Sequence, residues 1–173
     1  MKTKKIILYS LLALFFLPCF SQEISRKARR EKDKILKVNL IDSLMNSKEF
    51  VFEATQVMPL GSAPIHLTGN SNFVKFHPDS IESYMPFFGR AYSIDYGGDG
   101  GIKFEGKPVK YTITKLKEGR GYEIDATVPV PRDIYQLRLI VSPDGSATLS
   151  INSNSRSAIS YYGDIVKFEE TIP

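Results

Sequence analysis

The chain has 173 residues, of which 42% are hydrophobic and 24% are charged, and its formal net charge at pH 7 is +4. This length favours a single domain that can bury a substantial core. Cys19 is the one cysteine, and His66 and His77 are the two histidines. A histidine-rich metal site, a thiolate zinc site and a disulfide scaffold are therefore excluded, and no metal site is expected.

Residues 1–21 are predicted to form a secretory signal peptide. Three lysines precede an apolar run over residues 6–16, which is too short to span a bilayer. Cys19 and Ser21 supply the small residues that precede a cleavage site at Gln22. We therefore expect a secreted protein, placed in the periplasm.

A lipoprotein anchored through Cys19 is the alternative. Its signal would need a leucine three residues before the cysteine and a small residue immediately before it, whereas this chain has Phe16 and Pro18 there. Cleavage before Gln22 is the favoured prediction. The secreted chain would then contain no cysteine and would be nearly neutral, because three basic residues leave with the leader.

Residues 22–47 are predicted to form a charged and amphipathic N-terminal helix, because they include no proline or glycine and many helix formers. The first half is basic. Its charges are available to contact an anionic surface, although a solvated spacer is the favoured interpretation. The second half, expected to pack on the domain, has apolar residues at helical spacing. These are Ile35, Val38, Ile41, Leu44 and Met45.

Residues 48–173 are predicted to form an antiparallel β domain. Short segments in which apolar and polar residues alternate are separated by turns rich in proline and glycine. The fold class is mainly β, an antiparallel meander forming a barrel or a sandwich, with the one N-terminal α-helix. The predicted buried face contains Tyr122, Ile124, Ala126, Val128, Leu137, Leu139, Leu149 and Ile151. The predicted exposed face contains Glu123, Asp125, Gln136 and Arg138.

The densest aromatic and glycine content lies in residues 84–104, called here the aromatic–glycine segment. Its rings supply large apolar surfaces, and its glycines allow turns that other residues resist. Arg90 is able to stack on a ring or pair with a carboxylate, and we favour this structural role over ligand binding. Residues 88–92 are expected to meet residues 161–163, since rings from distant sites most easily share a core or a pocket wall. The candidate binding residues are Phe88, Arg90, Tyr92, Tyr96, Tyr161 and Tyr162.

Three motifs, MPFFGRAY at 85–92, YGGDGGIKF at 96–104 and RSAISYYG at 156–163, resemble those of a family of small secreted bacterial proteins, the domain-of-unknown-function 4251 family. The resemblance covers essentially the whole chain after the leader, and it implies secretion and one domain but no activity. Two positions depart from the family pattern, Phe87 in place of tyrosine and Asp95 in place of proline. The loss of the hydroxyl at Phe87 argues against a ligand role for that position.

Two functions are compatible with the residues. The favoured one is a non-enzymatic domain that binds a small apolar ligand or a cell-envelope partner. The alternative is a hydrolase acting on an envelope or glycan substrate through two carboxylates. Nucleic-acid binding is not expected, because the β domain lacks a basic excess. No P-loop, dinucleotide fingerprint or serine-hydrolase motif is present, so no cofactor is expected.

The carboxylates considered for hydrolysis are Glu53, Glu82, Asp95, Asp99 and Glu105. Asp95 and Asp99 also suggest a weak calcium site, which we disfavour.

Overall fold

The structure, a computed structural model, describes residues 18–68, 72–92 and 100–168, with side chains from residue 26 onward. The chain divides into two compact units, Met1–Lys37 and Val38–Pro173. One helix, α1 (Pro18–Ser47), contributes to both units and includes the last residues of the predicted leader. Among the described residues, no helix combines the length and the apolar character needed to cross a bilayer.

The second unit is built on one antiparallel sheet, as its alternating sequence predicts. The order of its strands is β5-β4-β3-β1-β10-β9-β8-β7-β6, and the short β2 pairs with β1. The strands are β1 (Phe50–Pro59), β2 (Ile65–His66), β3 (Phe73–Phe76), β4 (Ile81–Met85), β5 (Ile102–Gly106), β6 (Lys110–Lys115), β7 (Tyr122–Val130), β8 (Asp133–Val141), β9 (Ser146–Asn152) and β10 (Ile159–Val166).

The sheet curls into a half-barrel. The ring of Phe104 on β5 stacks on that of Tyr135 on β8, with 4.4 Å between their centroids. Gly106 on β5 lies so close to Val128 on β7 that an added Cβ would be 2.8 Å from its Cγ1. Two strands from opposite halves of the order therefore face each other. The predicted mainly β, antiparallel fold is confirmed, and its form is a half-barrel.

The concave face of the sheet is filled with apolar side chains. All eight residues assigned to the buried face of β7, β8 and β9 are buried, which confirms the predicted strand phase. On the opposite face Gln136 and Arg138 are exposed, whereas Glu123 and Asp125 are half-buried. The largest fully buried side chains of the other strands include Phe50, Phe52, Phe76 and Tyr161.

Only the last turns of α1 pack in the core. Ile41, Leu44 and Met45 are buried, whereas Val38 is 37% exposed and Ile35 is exposed as well. The predicted stripe from Ile35 onward is therefore wrong in its first part. Helical spacing identifies one face of a helix, but it does not tell where along the helix the packing partner begins.

Asp42 of α1 is bound to the sheet by two polar side chains. The Tyr122 hydroxyl donates to its Oδ1 at 2.7 Å, and the Lys115 ammonium lies 3.2 Å from Oδ2. The hydrogen bond from Tyr122 is the largest effect on Asp42 and lowers its pKa from the ordinary value of 3.8. Burial raises the pKa, but by less than the Tyr122 bond lowers it, and the hydrogen bond and charge of Lys115 lower it further. These contacts hold α1 against β6 and β7.

Asp42→Asn should reduce stability at neutral pH but not in acid. The folded-state pKa of Asp42 is depressed, so its contribution to the free energy of unfolding is complete above the unfolded-state value of 3.8 and is lost as pH falls through the folded-state value. Because the pair is partly exposed, we expect a difference of about 1 kcal/mol or less at pH 7. Urea denaturation of both proteins at pH 7 and near pH 3 measures it. A difference that persists unchanged in acid would contradict a role for the charge.

Candidate functional site

The aromatic–glycine segment begins on the sheet and then leaves it. Tyr84 and Met85 end β4, residues 86–92 form a loop, and Ile102 starts β5. Residues 93–99 lie outside the described residues. The predicted site residue Tyr96 and the carboxylates Asp95 and Asp99 fall in that range, so their predicted roles stay predictions.

The loop after β4 pairs with the loop between β9 and β10. Ala91 and Arg156 form an isolated antiparallel bridge. On one side of it the Tyr92 N–H donates to the Ser155 carbonyl at 2.8 Å, and on the other the Ser157 N–H donates to the Arg90 carbonyl at 2.9 Å. Residues 88–92 therefore meet residues 155–157. These residues lie at and just before the start of the RSAISYYG motif, whereas the predicted partners are residues 161–163 of that motif.

Of the predicted partners at 161–163, Tyr161 forms a hydrogen bond with the loop after β4. Its ring is fully buried, and its hydroxyl donates to the Pro86 carbonyl at 2.7 Å. Burial raises the pKa of Tyr161, so the phenol remains a proton donor in this bond. Tyr162 points to the opposite face of β10, where it is 43% exposed and pairs with Gln56. The expected meeting with Tyr162 is therefore wrong, because side chains alternate between the two faces of a strand. Gly163 pairs instead with Ala54 on β1.

Arg156 has the packing role that was predicted for Arg90. Its guanidinium carbon lies 5.1 Å from the centroid of the Phe87 ring, and its Nη1 donates to the Gly100 carbonyl. The guanidinium thus connects the loop after β4 with the start of β5. Arg90 is exposed. Gly89 is required here for space, because an added Cβ would lie 2.7 Å from both the Phe87 ring and the Ser157 hydroxyl.

Asp133, a residue that the sequence does not single out, organises the loop that carries Arg156. Its Oδ1 accepts the N–H groups of Ile134 at 2.8 Å and Asn154 at 2.9 Å, and its Oδ2 accepts the Ser155 hydroxyl. Burial by itself raises the pKa of Asp133, but these hydrogen bonds outweigh it, and the pKa lies below its usual value. The carboxylate is therefore ionised at neutral pH. In the sequence, the signal for such a residue was the polar run of residues 152–157, because its backbone N–H groups need a hydrogen-bond acceptor.

A surface cleft of about 290 Å³ lies where β4 ends and β5 begins. We call it the aromatic cleft. Three of its walls are the rings of Tyr84, Phe87 and Phe88, and Phe88 is 41% exposed. The Lys103 ammonium lies 3.8 Å from the Tyr84 ring centroid, a distance typical of a cation–π contact. The lining residues are Asn72, Tyr84, Met85, Pro86, Phe87, Phe88, Gly101 and Lys103.

The structure separates the predicted binding residues. Phe88 lines the aromatic cleft, and Tyr161 supports it from below through Pro86. Arg90, Tyr92 and Tyr162 are exposed and do not line it. Sequence reasoning did not identify Lys103 as a lining residue, although it stands within the motif YGGDGGIKF. A single lysine between two apolar residues is also found in ordinary strands, so the pattern gives no signal.

Of the carboxylates considered for hydrolysis, the described ones, Glu53, Glu82 and Glu105, lie on the convex face. Glu82 and Glu105 are opposite each other on β4 and β5, and Glu82 pairs with Lys75 at 2.9 Å. Glu53 is exposed on β1 and lines a separate open cleft of about 360 Å³. Within the described ranges, no group of three or more histidine, cysteine, aspartate or glutamate side chains could hold a metal ion.

Comparison with known proteins identifies the family. Residues 32–165 match the model of DUF4251, a domain of unknown function. The chain belongs to the DUF4251 family. A crystal structure of a DUF4251 family protein from Bacteroides eggerthii is similar, with a TM-score of 0.59 and 21% sequence identity over 76% of this chain and 88% of that one. At this identity the likeness shows a shared fold. No curated protein matches the chain.

Arg156→Lys should destabilise this DUF4251 protein, whereas Arg90→Lys should not. Lysine keeps the charge but loses the planar fork that both stacks on Phe87 and donates to the Gly100 carbonyl. We expect a loss of about 1 kcal/mol for Arg156→Lys. For the exposed Arg90 we expect a change within about 0.5 kcal/mol. Chemical denaturation of the two variants beside the parent protein compares them, and an equal loss in both would assign the packing role to Arg90 after all.

Proposed function

We propose that this DUF4251 protein is a secreted, non-enzymatic binding domain of the cell envelope whose aromatic cleft accommodates a small apolar ligand or ligand group. The observation that carries the proposal is the convergence of Tyr84, Phe87 and Phe88 on one open cleft. Exposed rings gathered at one place are a common feature of ligand sites.

The surface of the domain favours this proposal over a ligand held inside the half-barrel. The concave face is occupied by Phe50, Phe52, Phe76 and Tyr161, which are fully buried. Protein interiors of this kind are close-packed, so a guest would have to displace side chains. The aromatic cleft needs no such rearrangement, because its rings already reach the surface.

The cleft is also held rigidly from behind. Tyr161 anchors Pro86, and Arg156 spans Phe87 and Gly100. Asp133 in turn fixes the loop that carries Arg156. A site whose walls are held by partly buried hydrogen bonds loses little conformational entropy when a ligand binds.

The hydrolase alternative gains no specific support from the carboxylates that the structure describes. A glycosidase needs two carboxylates on either side of a substrate. Glu82 and Glu105 are instead adjacent on the convex face, and neither lines the aromatic cleft.

A neutral apolar dye tests the proposal. N-phenyl-1-naphthylamine becomes fluorescent in apolar sites, and we expect saturable binding to the protein as purified from the producing cell. Phe88→Ala should weaken it about tenfold, the effect of losing part of a ring contact worth about 1.5 kcal/mol. Tyr162→Ala is the matched control, because Tyr162 is 43% exposed and Phe88 is 41% exposed, but Tyr162 lies outside the cleft. An absence of saturable binding, or equal weakening by both changes, would refute the proposal.

Secretion is tested separately. Mass spectrometry of the processed protein should give a chain that begins at Gln22. A lipid-modified species that begins at Cys19 would instead place the domain on a membrane anchor.

A further inference from the structure

We propose, resting on the binding function above, that the ligand of the aromatic cleft is a small amphiphilic anion, with its apolar part among the rings and its carboxylate, sulfonate or phosphate on Lys103. The inference concerns the chemical class of the ligand. It follows from the position of Lys103, from the charge of the cleft lining and from the size of the cleft.

Lys103 is built into the wall of the cleft. It lies on β5 directly opposite Tyr84 on β4, and both residues point to the convex face. Its Nζ is 3.8 Å from the centroid of the Tyr84 ring. The ring contact holds a positive charge at the edge of an apolar surface. An ammonium has three N–H donors, and its charge attracts an anion even where a donor is shared with the protein.

Among the described residues, the charge of the lining is positive. Of the eight that line the cleft, Lys103 is the charged one, and Asn72 has a neutral amide. A second cation, Arg156, lies over Phe87 at 5.1 Å behind the lining. An anion that enters beside the rings therefore meets two positive groups. Low-polarity walls strengthen such an interaction relative to open water.

The size of the cleft limits the ligand. Its volume of about 290 Å³ lies just below the usual range for ligand pockets. Together with openness to solvent, this volume suits one aromatic ring system or a short acyl chain. The charged group can then remain partly hydrated at the rim, next to Lys103.

A pair of dyes that differ in one charge tests the inference. 8-Anilinonaphthalene-1-sulfonate has the same ring body as N-phenyl-1-naphthylamine and adds a sulfonate. We expect the sulfonate dye to bind about fivefold to tenfold more tightly, the range for a charge-assisted contact at a half-exposed site. Lys103→Met should remove this advantage, so that the two dyes then bind to the variant with equal affinity. Lys107→Met, which removes an exposed lysine just beyond β5, is the control and should change neither affinity.

The outcomes separate the two proposals. The result expected is a sulfonate preference that depends on Lys103 and falls as salt rises from about 0.05 M to about 0.5 M, because salt screens exposed charges. If the neutral dye binds at the cleft but the sulfonate adds nothing, or if Lys107→Met has the effect of Lys103→Met, the anionic class is wrong and the binding function stands. If neither dye binds, both proposals fail. Melting curves of each variant show that the protein remains folded during the titrations.

Discussion

Replacing Leu139 with alanine should lower the free energy of unfolding by about 2–5 kcal/mol. Leu139 is fully buried on β8, between Ile124 on β7 and Leu149 on β9. Three adjacent strands therefore surround the methyl groups that the substitution removes. The loss has two parts, the transfer of those groups to water and the cavity that remains, and the packing on both sides prevents the site from collapsing.

Ile140→Ala is the matched control for this experiment. Ile140 is the next residue on β8, is also a branched aliphatic and is 45% exposed on the convex face. Its replacement should change stability by about 0.5 kcal/mol or less, as surface changes do. Urea denaturation of the two variants gives the comparison. If the loss for Leu139→Ala were no larger than for Ile140→Ala, the assignment of buried and exposed faces on β8 would be wrong.

The strand phase could be predicted from the sequence because it is a local property. Side chains of a strand alternate between two faces, so Leu137 and Leu139 share one face whatever strand lies beside them. The same holds for Ile124 and Leu149. The fold class followed from this alternation and from the turns. The family resemblance, carried by three motifs, is confirmed.

The order of the strands could not be predicted in the same way. β1 lies at the centre of the sheet because β10, more than a hundred residues later, returns to pair with it. Such pairings depend on interactions between distant segments, which alternation alone does not encode. The prediction of how much of α1 packs in the core failed for a related reason. Val38 continues the apolar stripe of α1 and yet is substantially exposed.

The sequence singled out the segment that contributes rings to the aromatic cleft, but not all of the residues that line the cleft. The aromatic–glycine segment does contribute the rings of the cleft, and Phe88 is among them. Arg90 was chosen because it lies inside the segment, whereas the arginine that packs on Phe87 comes from the other motif, at Arg156. A charged residue and its ring partner need not be close in sequence. Their pairing is determined by the bridge between the two loops, and this bridge is a tertiary contact.

Gly163→Ala should be among the most destabilising single methyl additions in the protein, with an expected loss of about 3 kcal/mol or more. Gly163 on β10 pairs with Ala54 on β1, next to a register shift between Ala54 and Gln56. A Cβ at Gly163 would lie 1.9 Å from the carbonyl oxygen of Glu53 and 2.9 Å from the Cα of Ala54. Both contacts are with backbone atoms, so no side chain can turn away to make room.

Gly119→Ala separates this steric effect from the general effect of replacing a glycine. Gly119 has a φ of +67°, and an added Cβ there would have no atom within 4 Å. Its replacement should therefore cost about 1–2 kcal/mol, from the left-handed backbone alone. Gly163 shows no left-handed conformation, so its larger loss would come from the close approach of β1 and β10. If thermal and urea denaturation show that Gly163→Ala loses no more stability than Gly119→Ala, then the two strands are further apart in solution.

Because β10 also carries Tyr161, whose hydroxyl holds Pro86 beneath the aromatic cleft, a separation of β1 from β10 would also move the support of the cleft. Loss of dye binding in parallel with loss of stability in Gly163→Ala would therefore connect the central strand pair to the site.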